Sequence, residues 1–315
     1  MRIPLFLSLA LMMLFSSCFK ERRSKKAGHK MQDFIVEISD YAKGLDPGFA
    51  IIPQNGEELL FSDIDSESGL DERLINAIDA IGIEEVFYNG GNYAPDDYRL
   101  QMLLKAKARI PVLVADYLGN DTDYDQAIQY NTAAGFLAFP RVSSNYDYLQ
   151  IPPTVTQENN NDILKLSDAR NYLYLISDGG YATKQDYLTA IQQTNFDVVI
   201  MDAFYGDELY TSAEINALKT KLNGGKRMII AYMSIGSAEK YRYYWQDDWK
   251  LHKPRWLKKE YDGYAEEIWV KFWKKEWKAI IYGNDDSYTK KLINAGFDGA
   301  YLDNTEAFYN LYFNE

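Results

Sequence analysis

Residues 296–304 read GFDGAYLDN, and this stretch decides how the chain is interpreted. It contains a short apolar strand, Gly299 to Leu302, followed at once by Asp303 and Asn304. The C-terminal ends of the strands form the active face of a parallel α/β barrel, so a carboxylate at this point indicates chemistry. Aspartate also caps loops and helices. Position alone therefore predicts either a catalytic group or a cap.

Outward from this stretch, short apolar runs alternate with helical patterns, which is typical of a mainly parallel α/β fold. Strands are predicted at 49–53, 85–88, 111–117, 135–140, 172–177, 197–204, 228–234 and 299–303. Helices are predicted at 71–81, 97–108, 184–194 and 212–222. A ninth apolar run, 268–273, is either a barrel strand or part of an insertion at 240–285. Eight strands with helices between them predict a single (β/α)8 TIM barrel over residues 33–315.

The N-terminal residues 1–17 predict a secretory signal peptide, because a positive charge precedes an apolar run too short for an ordinary transmembrane helix. The sole cysteine, Cys18, follows directly, and the segment resembles a bacterial lipobox whose cysteine becomes lipidated. A leftover thiol behind a plain signal peptide is the alternative. Residues 18–32 are predicted to be a basic tether, too polar to fold alone. The expected location is the bacterial cell envelope, lipid-anchored on the outer membrane or facing the periplasm, or else extracellular.

Composition excludes several classes of function. The net charge of −12 argues against nucleic acid as a partner, since phosphate binding needs a basic face. Two histidines and one cysteine leave no Ser-His-Asp triad, no His-rich zinc site and no thiol catalysis, so no metal is predicted. The glycine pairs lack nucleotide-binding spacing, and no cofactor is predicted. Carboxylates remain, with 26 tyrosines and 6 tryptophans, which is the equipment of glycoside hydrolysis.

Polar residues recur at the predicted strand ends and suggest a polar pocket at one face of the barrel. The candidates for binding substrate are Gln54, Tyr88, Asp116, Asp202, Tyr232, Ser234, Glu239, Arg242 and Asn304. Asp and Asn that begin loops would give part of the same pattern for structural reasons. Arg242 could instead pair with a carboxylate and hold its loop.

Four segments together resemble the bacterial TM1410-like proteins, which are related to glycoside hydrolase family 114, the endo-α-1,4-polygalactosaminidases. They are GFDGAYLDN, IIAYMSIGSAEKYRYYW (229–245), IWVKFWKKEWKAII (268–281) and IIPQNGEELL (51–60). The resemblance implies a (β/α)8 barrel that cleaves a galactosamine-containing polysaccharide with two carboxylates.

Asp303 matches the family's proposed nucleophile. The segment GIEEVFY (82–88) resembles the context of the second carboxylate and selects Glu84 as acid/base, with a raised pKa. Glu85 is the alternative. Alternation along an extended chain places the two glutamates on opposite sides. Glu84 lies just before the strand predicted at 85–88.

The order of the segments differs from that of the relatives, in which the segment like GFDGAYLDN comes first. The resemblance therefore implies a circular permutation, which a closed barrel tolerates because its first and last strands are neighbours. It predicts that the strand of Asp303 flanks the strand at 49–53, with the strand of Glu84 next beyond.

These observations predict a lipid-anchored glycoside hydrolase whose partners are an amino-sugar polysaccharide and, through the anchor only, a membrane. The alternative is a non-catalytic carbohydrate-binding lipoprotein, which would lack a second carboxylate across the pocket. A structural surface lipoprotein has only the anchor in its favour.

Overall fold

The computed structural model describes residues 5–142 and 148–313, with side chains from residue 19 onward except that of Asp121. The side chains of the predicted signal peptide, 1–17, and of Cys18 lie outside this described part. Among the described helices, none is long and apolar enough to cross a lipid bilayer.

Eight strands of the described chain run parallel and form the centre of the molecule. They are β1 (Ala50–Pro53), β2 (Ile81–Glu84), β3 (Val112–Ala115), β4 (Leu137–Ala138), β5 (Tyr172–Leu175), β6 (Val198–Asp202), β7 (Met228–Ser234) and β8 (Gly299–Asp303). One sheet has the order β1-β8-β7-β6-β5 and a second has the order β2-β3-β4. A parallel bridge between Gln54 and Gly82 joins β1 to β2. The predicted α/β class with parallel strands is confirmed.

The strand β8 pairs with β1, as predicted, and also with β7, so it lies inside the larger sheet. Gly299 pairs with Ala50 on β1, and Asp303 pairs with Ser234 on β7. Since β1 continues to β2 through the bridge at Gly82, the strands that end in Asp303 and Glu84 are separated by one strand.

The strand predicted at 85–88 is wrong, because the strand is β2 at Ile81–Glu84. Glu85 has a φ of 58°, which ends the extended backbone there. The amides of Val86, Phe87 and Tyr88 donate to the Asp116 carboxylate instead of to a neighbouring strand. Glu84 therefore stands at the C-terminal end of its strand, where a functional carboxylate of a barrel is expected.

Gly82 allows the strand β2 to approach β8. A Cβ atom at this position would overlap the hydroxyl of Tyr301, which points from β8 into the space between the strands. Gly82 and Glu84 are two residues apart and share one side of β2. Glu84 therefore faces the same interior as Tyr301.

The helices cover the outside of the strands and are mostly shorter than predicted. They are α1 (Leu5–Leu45), α2 (Glu72–Ala77), α3 (Asp97–Ala106), α4 (Tyr124–Ala134), α5 (Lys184–Gln192), α6 (Ser212–Leu218), α7 (Lys275–Ile281), α8 (Tyr288–Ala295) and α9 (Ala307–Asn310). Side-chain caps fix several of their starts, as at α6, where Thr211 and Glu214 form a reciprocal capping box.

The helix α1 differs from the expected basic tether, because it continues through residues 18–32. One face is buried from Ser24 to Ala42 and packs on the molecule. Gln32 donates to the carbonyls of Leu59 (2.7 Å) and Phe61 (3.0 Å). The segment is polar on its outer face, but its inner face packs against α2, α8 and α9.

The insertion after β7 is an antiparallel sheet in which Glu267–Val270 lies between Ser237–Glu239 and Leu257–Glu260. The ninth apolar run, 268–273, therefore belongs to the insertion. Two small hairpins, Tyr88–Asn89 with Asn92–Tyr93 and Phe204–Tyr205 with Glu208–Leu209, extend from the ends of β2 and β6.

The connection between β4 and β5 is unlike the others, since its described residues contain only a 3-10 turn, Leu166–Asp168. The rings of Phe139 and Tyr172, at its two ends, pack 5.5 Å apart. A buried ion pair secures its second half: Lys221 Nζ lies 3.0 Å from Asp197 Oδ1 and donates to the carbonyl of Asn159.

Candidate active site

A cavity of about 1290 Å³ opens at the C-terminal ends of the parallel strands. It exceeds the 300–1,000 Å³ usual for small-molecule sites, so it has room for several sugar units. The loops after β1, β2, β6 and β8 line it, together with the insertion after β7 and residues 21–25 of α1. Asp303 and Glu84 both line this one cavity.

Asp303 is held by two hydrogen bonds. Its Oδ2 atom accepts from the Tyr232 hydroxyl (2.5 Å) and its Oδ1 atom from the Asn304 amide (2.7 Å). Burial and, to a smaller extent, the charge of Glu84 raise the pKa of the Asp303 carboxyl to about 7, against the effect of the Tyr232 hydrogen bond. This is the shift that sequence analysis assigned to Glu84.

Glu84 is held by side chains from two other segments. Tyr148 donates its hydroxyl to Oε1, and Asn55 Nδ2 donates to Oε2 at 3.1 Å. The backbone amide of Glu84 donates in turn to Asn55 Oδ1. Arg99, which also lines the cavity, donates to the backbone carbonyl of Glu84 at 2.8 Å.

Glu85 also lines the cavity, since its positive φ turns the chain out of strict alternation. Its Oε1 atom lies 3.5 Å from Arg141 Nη2. Arg141 thus engages Glu85, whereas Glu84 stands at the end of β2 and its charge raises the pKa of Asp303. The geometry therefore favours Glu84 as the partner of Asp303.

Arg242 joins two carboxylates at the cavity wall. It donates to Asp202 through both terminal nitrogens (2.8 and 2.6 Å) and to Glu239 Oε2 through Nε at 2.9 Å. Glu239 is fully buried, whereas Asp202 and Arg242 reach the cavity. The structure thus gives Arg242 the loop-holding contact that sequence analysis left open.

Asn304 connects the end of β8 to the insertion. Its Nδ2 atom donates to Ser234 Oγ (2.9 Å) and Ser237 Oγ (3.0 Å), and its Oδ1 atom accepts from the Tyr261 hydroxyl. Ser234 is completely buried beneath it and does not line the cavity. Gly236 must be glycine here, because a Cβ atom would overlap the carbonyl oxygen of Asn304.

The remaining predicted residues separate into one at the cavity and two away from it. Gln54 lines the cavity and accepts from the Tyr174 hydroxyl at 3.0 Å. Asp116 and Tyr88 are placed elsewhere, which corrects the expectation that they line the sugar site. Asp116 is buried and accepts hydrogen bonds from the backbone amides that follow β2. Tyr88 packs edge-on against Tyr93, with ring centroids 5.5 Å apart.

Several cavity residues were missed by sequence analysis. None of them directly follows a predicted parallel strand, and they come from loops and from the insertion: Tyr148, Tyr241, Tyr261, Tyr264, Glu267 and Glu306. Burial raises the pKa of Glu267 to about 8, with a contribution from Glu239. Burial and the charge of Asp303 also raise the pKa of Glu306. Its spacing of three residues from Asp303 was the one available signal.

Within the described part of the chain, no group of three or more His, Cys, Asp or Glu side chains is arranged to hold a metal ion.

Comparison with known proteins gives one family. The model of glycoside-hydrolase family GH114 matches residues 153–314, just over half of the chain. This region includes Asp303 and begins ahead of β5, so Glu84 lies outside it.

Three uncharacterized proteins are similar. One from Methanocaldococcus jannaschii is 33% identical over 175 residues, which cover 53% of this chain and 48% of that protein. One from Thermotoga maritima is 33% identical over 119 residues (38% and 35%), and one from Deinococcus radiodurans is 35% identical over 125 residues (39% and 38%). The chain spans about half or less of the length of these curated relatives. On the extent of the family match, the chain belongs to glycoside-hydrolase family GH114.

Proposed function

We propose that this protein is a glycoside hydrolase that cleaves an amino-sugar polysaccharide through Asp303 and Glu84. The observation that carries the proposal is their placement at the ends of β8 and β2, one strand apart, in one cavity. Two carboxyl groups flanking the scissile bond are what glycoside hydrolysis requires. The family indicates the class of reaction, and the residues that line the cavity support the proposed class of substrate.

The roles follow from the environment of each carboxylate. Burial holds a proton on Asp303 up to a pH of about 7, which suits the group that protonates the leaving oxygen as the bond from C1 breaks. Glu84 then attacks C1, or removes a proton from the water that does. This assignment reverses the roles that the resemblance implies for the pair.

The substrate class is supported by the charge and aromatic content of the cavity. Among its described lining residues, thirteen carry carboxylates and three carry cations, and eleven are tyrosine or phenylalanine. Two of the cations, Arg99 and Arg242, are already paired with lining carboxylates. An acidic, aromatic cavity suits a hydroxylated polymer with free amino groups, such as polygalactosamine.

The experiment is a hydrolysis screen of galactosamine and N-acetylgalactosamine polymers with the wild type, Glu84→Gln and Asp303→Asn. We expect release of oligomers by the wild type and a strong loss in both variants. Rates on the deacetylated polymer should fall as ionic strength rises, because screening weakens the attraction of opposite charges. Turnover unchanged in both variants would overturn the site.

A carbohydrate-binding protein without turnover is the alternative outcome of that screen. Sequence analysis required it to lack a second carboxylate at the pocket, whereas Glu84 shares the cavity with Asp303. Polymer binding without release of oligomers, in the wild type, would favour it.

We also propose that the eight strands close into a permuted (β/α)8 barrel. Three features support this. The family match starts at residue 153, within the helix-poor connection from β4 to β5. The helix α1 packs beside α2 and α8, the place of a helix between β8 and β1. The two end segments meet, since Ser24 Oγ donates to the carbonyl of Phe308 at 3.1 Å.

A chain rearranged to begin at residue 153 and end at residue 152, with a short linker from 313 to 20, tests the permutation. We expect the same cooperative unfolding and activity as the natural order. A second rearrangement, cut between β6 and β7, is the control. Loss of folding in the first but not in the second would contradict the proposal.

For location, we propose export and lipid attachment at Cys18, on the evidence of the N-terminal sequence. Labelling of cells with a fatty acid should mark the wild-type protein and leave Cys18→Ala unmarked. Labelling of neither would remove the anchor from the proposal.

A further inference from the structure

A second cavity, of about 490 Å³, lies on the other side of the segment that follows the strand Ser237–Glu239. It is bounded by this segment, by α7 and by the loop at 284–286, and it shares no lining residue with the catalytic cavity. Its size is within the range of ordinary ligand sites. Neither the proposed reaction nor the core requires an open space here.

Packed aromatic rings form the floor of this cavity. Trp256 is buried and packs against Trp277 at 5.2 Å and against Trp249 at 4.9 Å. Tyr244, also buried, meets Trp277 edge-on at 5.6 Å. Trp249 is only partly buried and Tyr243 is 42% exposed, so aromatic surface remains available to a ligand.

The rim is polar and acidic. Gln246, Glu276 and Asp286 border the cavity. In the described part of the structure, the side chains of Gln246 and Glu276 have no hydrogen bond or ion pair with protein. Asp286 lies 3.6 Å from Lys291 and is almost fully exposed. Aromatic faces bordered by hydrogen-bonding groups are suited to the two surfaces of a sugar ring, and the carboxylates suit an amino sugar.

Consecutive residues connect the two cavities. Tyr241 and Arg242 line the catalytic cavity, and Tyr243 and Tyr244 line the second. The ring of Tyr243 stacks on Phe204, a wall of the catalytic cavity, at 5.8 Å. The two cavities are therefore separated by one short segment, across which Phe204 and Tyr243 are in contact.

We propose that the second cavity binds a distal stretch of the same amino-sugar polymer whose bond is cleaved in the first. The proposal rests on the proposed function for the identity of the polymer. Simultaneous engagement of two sites strengthens binding of a long chain without strengthening that of a short one. The second cavity thereby favours long polymers over short oligomers.

The test uses the double variant Gln246→Ala/Glu276→Gln, whose exposed side chains have no partners to lose. We expect the ratio of KM for long polygalactosamine to KM for the galactosamine trimer to rise roughly tenfold, a modest share of the gain that two linked sites provide. Asp247→Asn, which removes a charge from the same segment outside the cavity, is the matched control. An unchanged ratio in the double variant would overturn the proposal.

A binding measurement separates this proposal from the proposed function. In the Glu84→Gln variant, which we expect not to cleave the polymer, long polygalactosamine should bind more weakly when Gln246→Ala/Glu276→Gln is added. If the wild type hydrolyses none of the polymers but this loss of binding is seen, the second site stands and the reaction fails. Equal binding with and without the added substitutions overturns the second site, whatever the activity.

Discussion

Asp303 and Glu84 face the same cavity but are supported in different ways. Asp303 ends a strand that is paired on both sides, with β1 and β7. Glu84 ends a strand that meets β1 only at the Gln54–Gly82 bridge, and side chains from Asn55 and Tyr148 hold its carboxylate. The strand of Glu84 is paired along its length on one side only, with β3, so Glu84 depends more on this local network than Asp303 does. Substitutions around Glu84 should therefore disturb geometry more readily than those around Asp303.

The largest effects are expected from the carboxylates themselves. Asp303→Asn should lower kcat by about 10²–10⁴-fold on a polymer, the range for loss of a general acid. On an aryl glycoside with a good leaving group the loss should be much smaller, since little protonation is needed. Glu84→Gln should be severely impaired on both substrates. Equal losses of Asp303→Asn on both substrates would return the acid role to Glu84.

The pH dependence sharpens the same contrast. If Asp303 must be protonated, kcat/KM falls as pH rises through about 7, because burial has raised its pKa to that value. The residual activity of Asp303→Asn should lack this limb. A rate that instead rises through pH 7 would indicate an ionised nucleophile at Asp303.

Gly82→Ala tests the close approach between β2 and the Tyr301 side chain of β8. The new Cβ atom overlaps the Tyr301 hydroxyl, and we expect the free energy of unfolding to fall by about 1–3 kcal/mol, as for overpacking of a core. Gly44→Ala, with open space around it in α1, is the control and should be neutral or stabilising by about 0.4–1 kcal/mol. Denaturant unfolding gives both values. No loss in Gly82→Ala would mean that β2 can move away from β8.

The smallest effects compare the two tyrosine donors. Tyr148→Phe and Tyr232→Phe should each lower kcat/KM by roughly tenfold, the scale of one hydrogen bond to a charged group. Only Tyr232→Phe should move the alkaline limb, and it should move upward, because the lost bond stabilised the ionised form of Asp303. Tyr172→Phe, whose buried hydroxyl has no partner among the described residues, is the matched control. If Tyr148→Phe shifted the alkaline limb of the pH profile by the same amount, Asp303 and Glu84 would not be supported separately.

Sequence reasoning was accurate where apolar pattern and strand coincide, as in β7 and β8, whose predicted bounds match the structure. It misplaced β2, because the apolar run Val86–Tyr88 reads as a strand. These three residues are buried, but their amides donate to Asp116 and not to a strand. Nothing in the neighbouring sequence indicates the positive φ of Glu85. Asp303 could be identified from the strand that it follows. The hydrogen bonds that hold Glu84 come from Asn55 and Tyr148, which are distant in sequence and could not be predicted.

The same reason explains what sequence reasoning missed around the site. Tyr148 comes from the connection between β4 and β5, and Tyr261 comes from the insertion. Neither segment has a period that indicates which way its side chains point. For α1, the buried positions recur at helical spacing, but the many lysines and arginines on the opposite face obscured them.

The position of β8 has a consequence for the order in which the protein is made. This strand pairs with both β1 and β7, yet it is the last of the eight to leave the ribosome. No nascent chain that lacks β8 can join β1 to the other three strands of the larger sheet. The β1–β8 pairing spans almost the whole chain, which predicts slow, late folding. The central pairing of the larger sheet is therefore among the last to form, and the cavity at the strand ends is completed only once synthesis has passed Asp303.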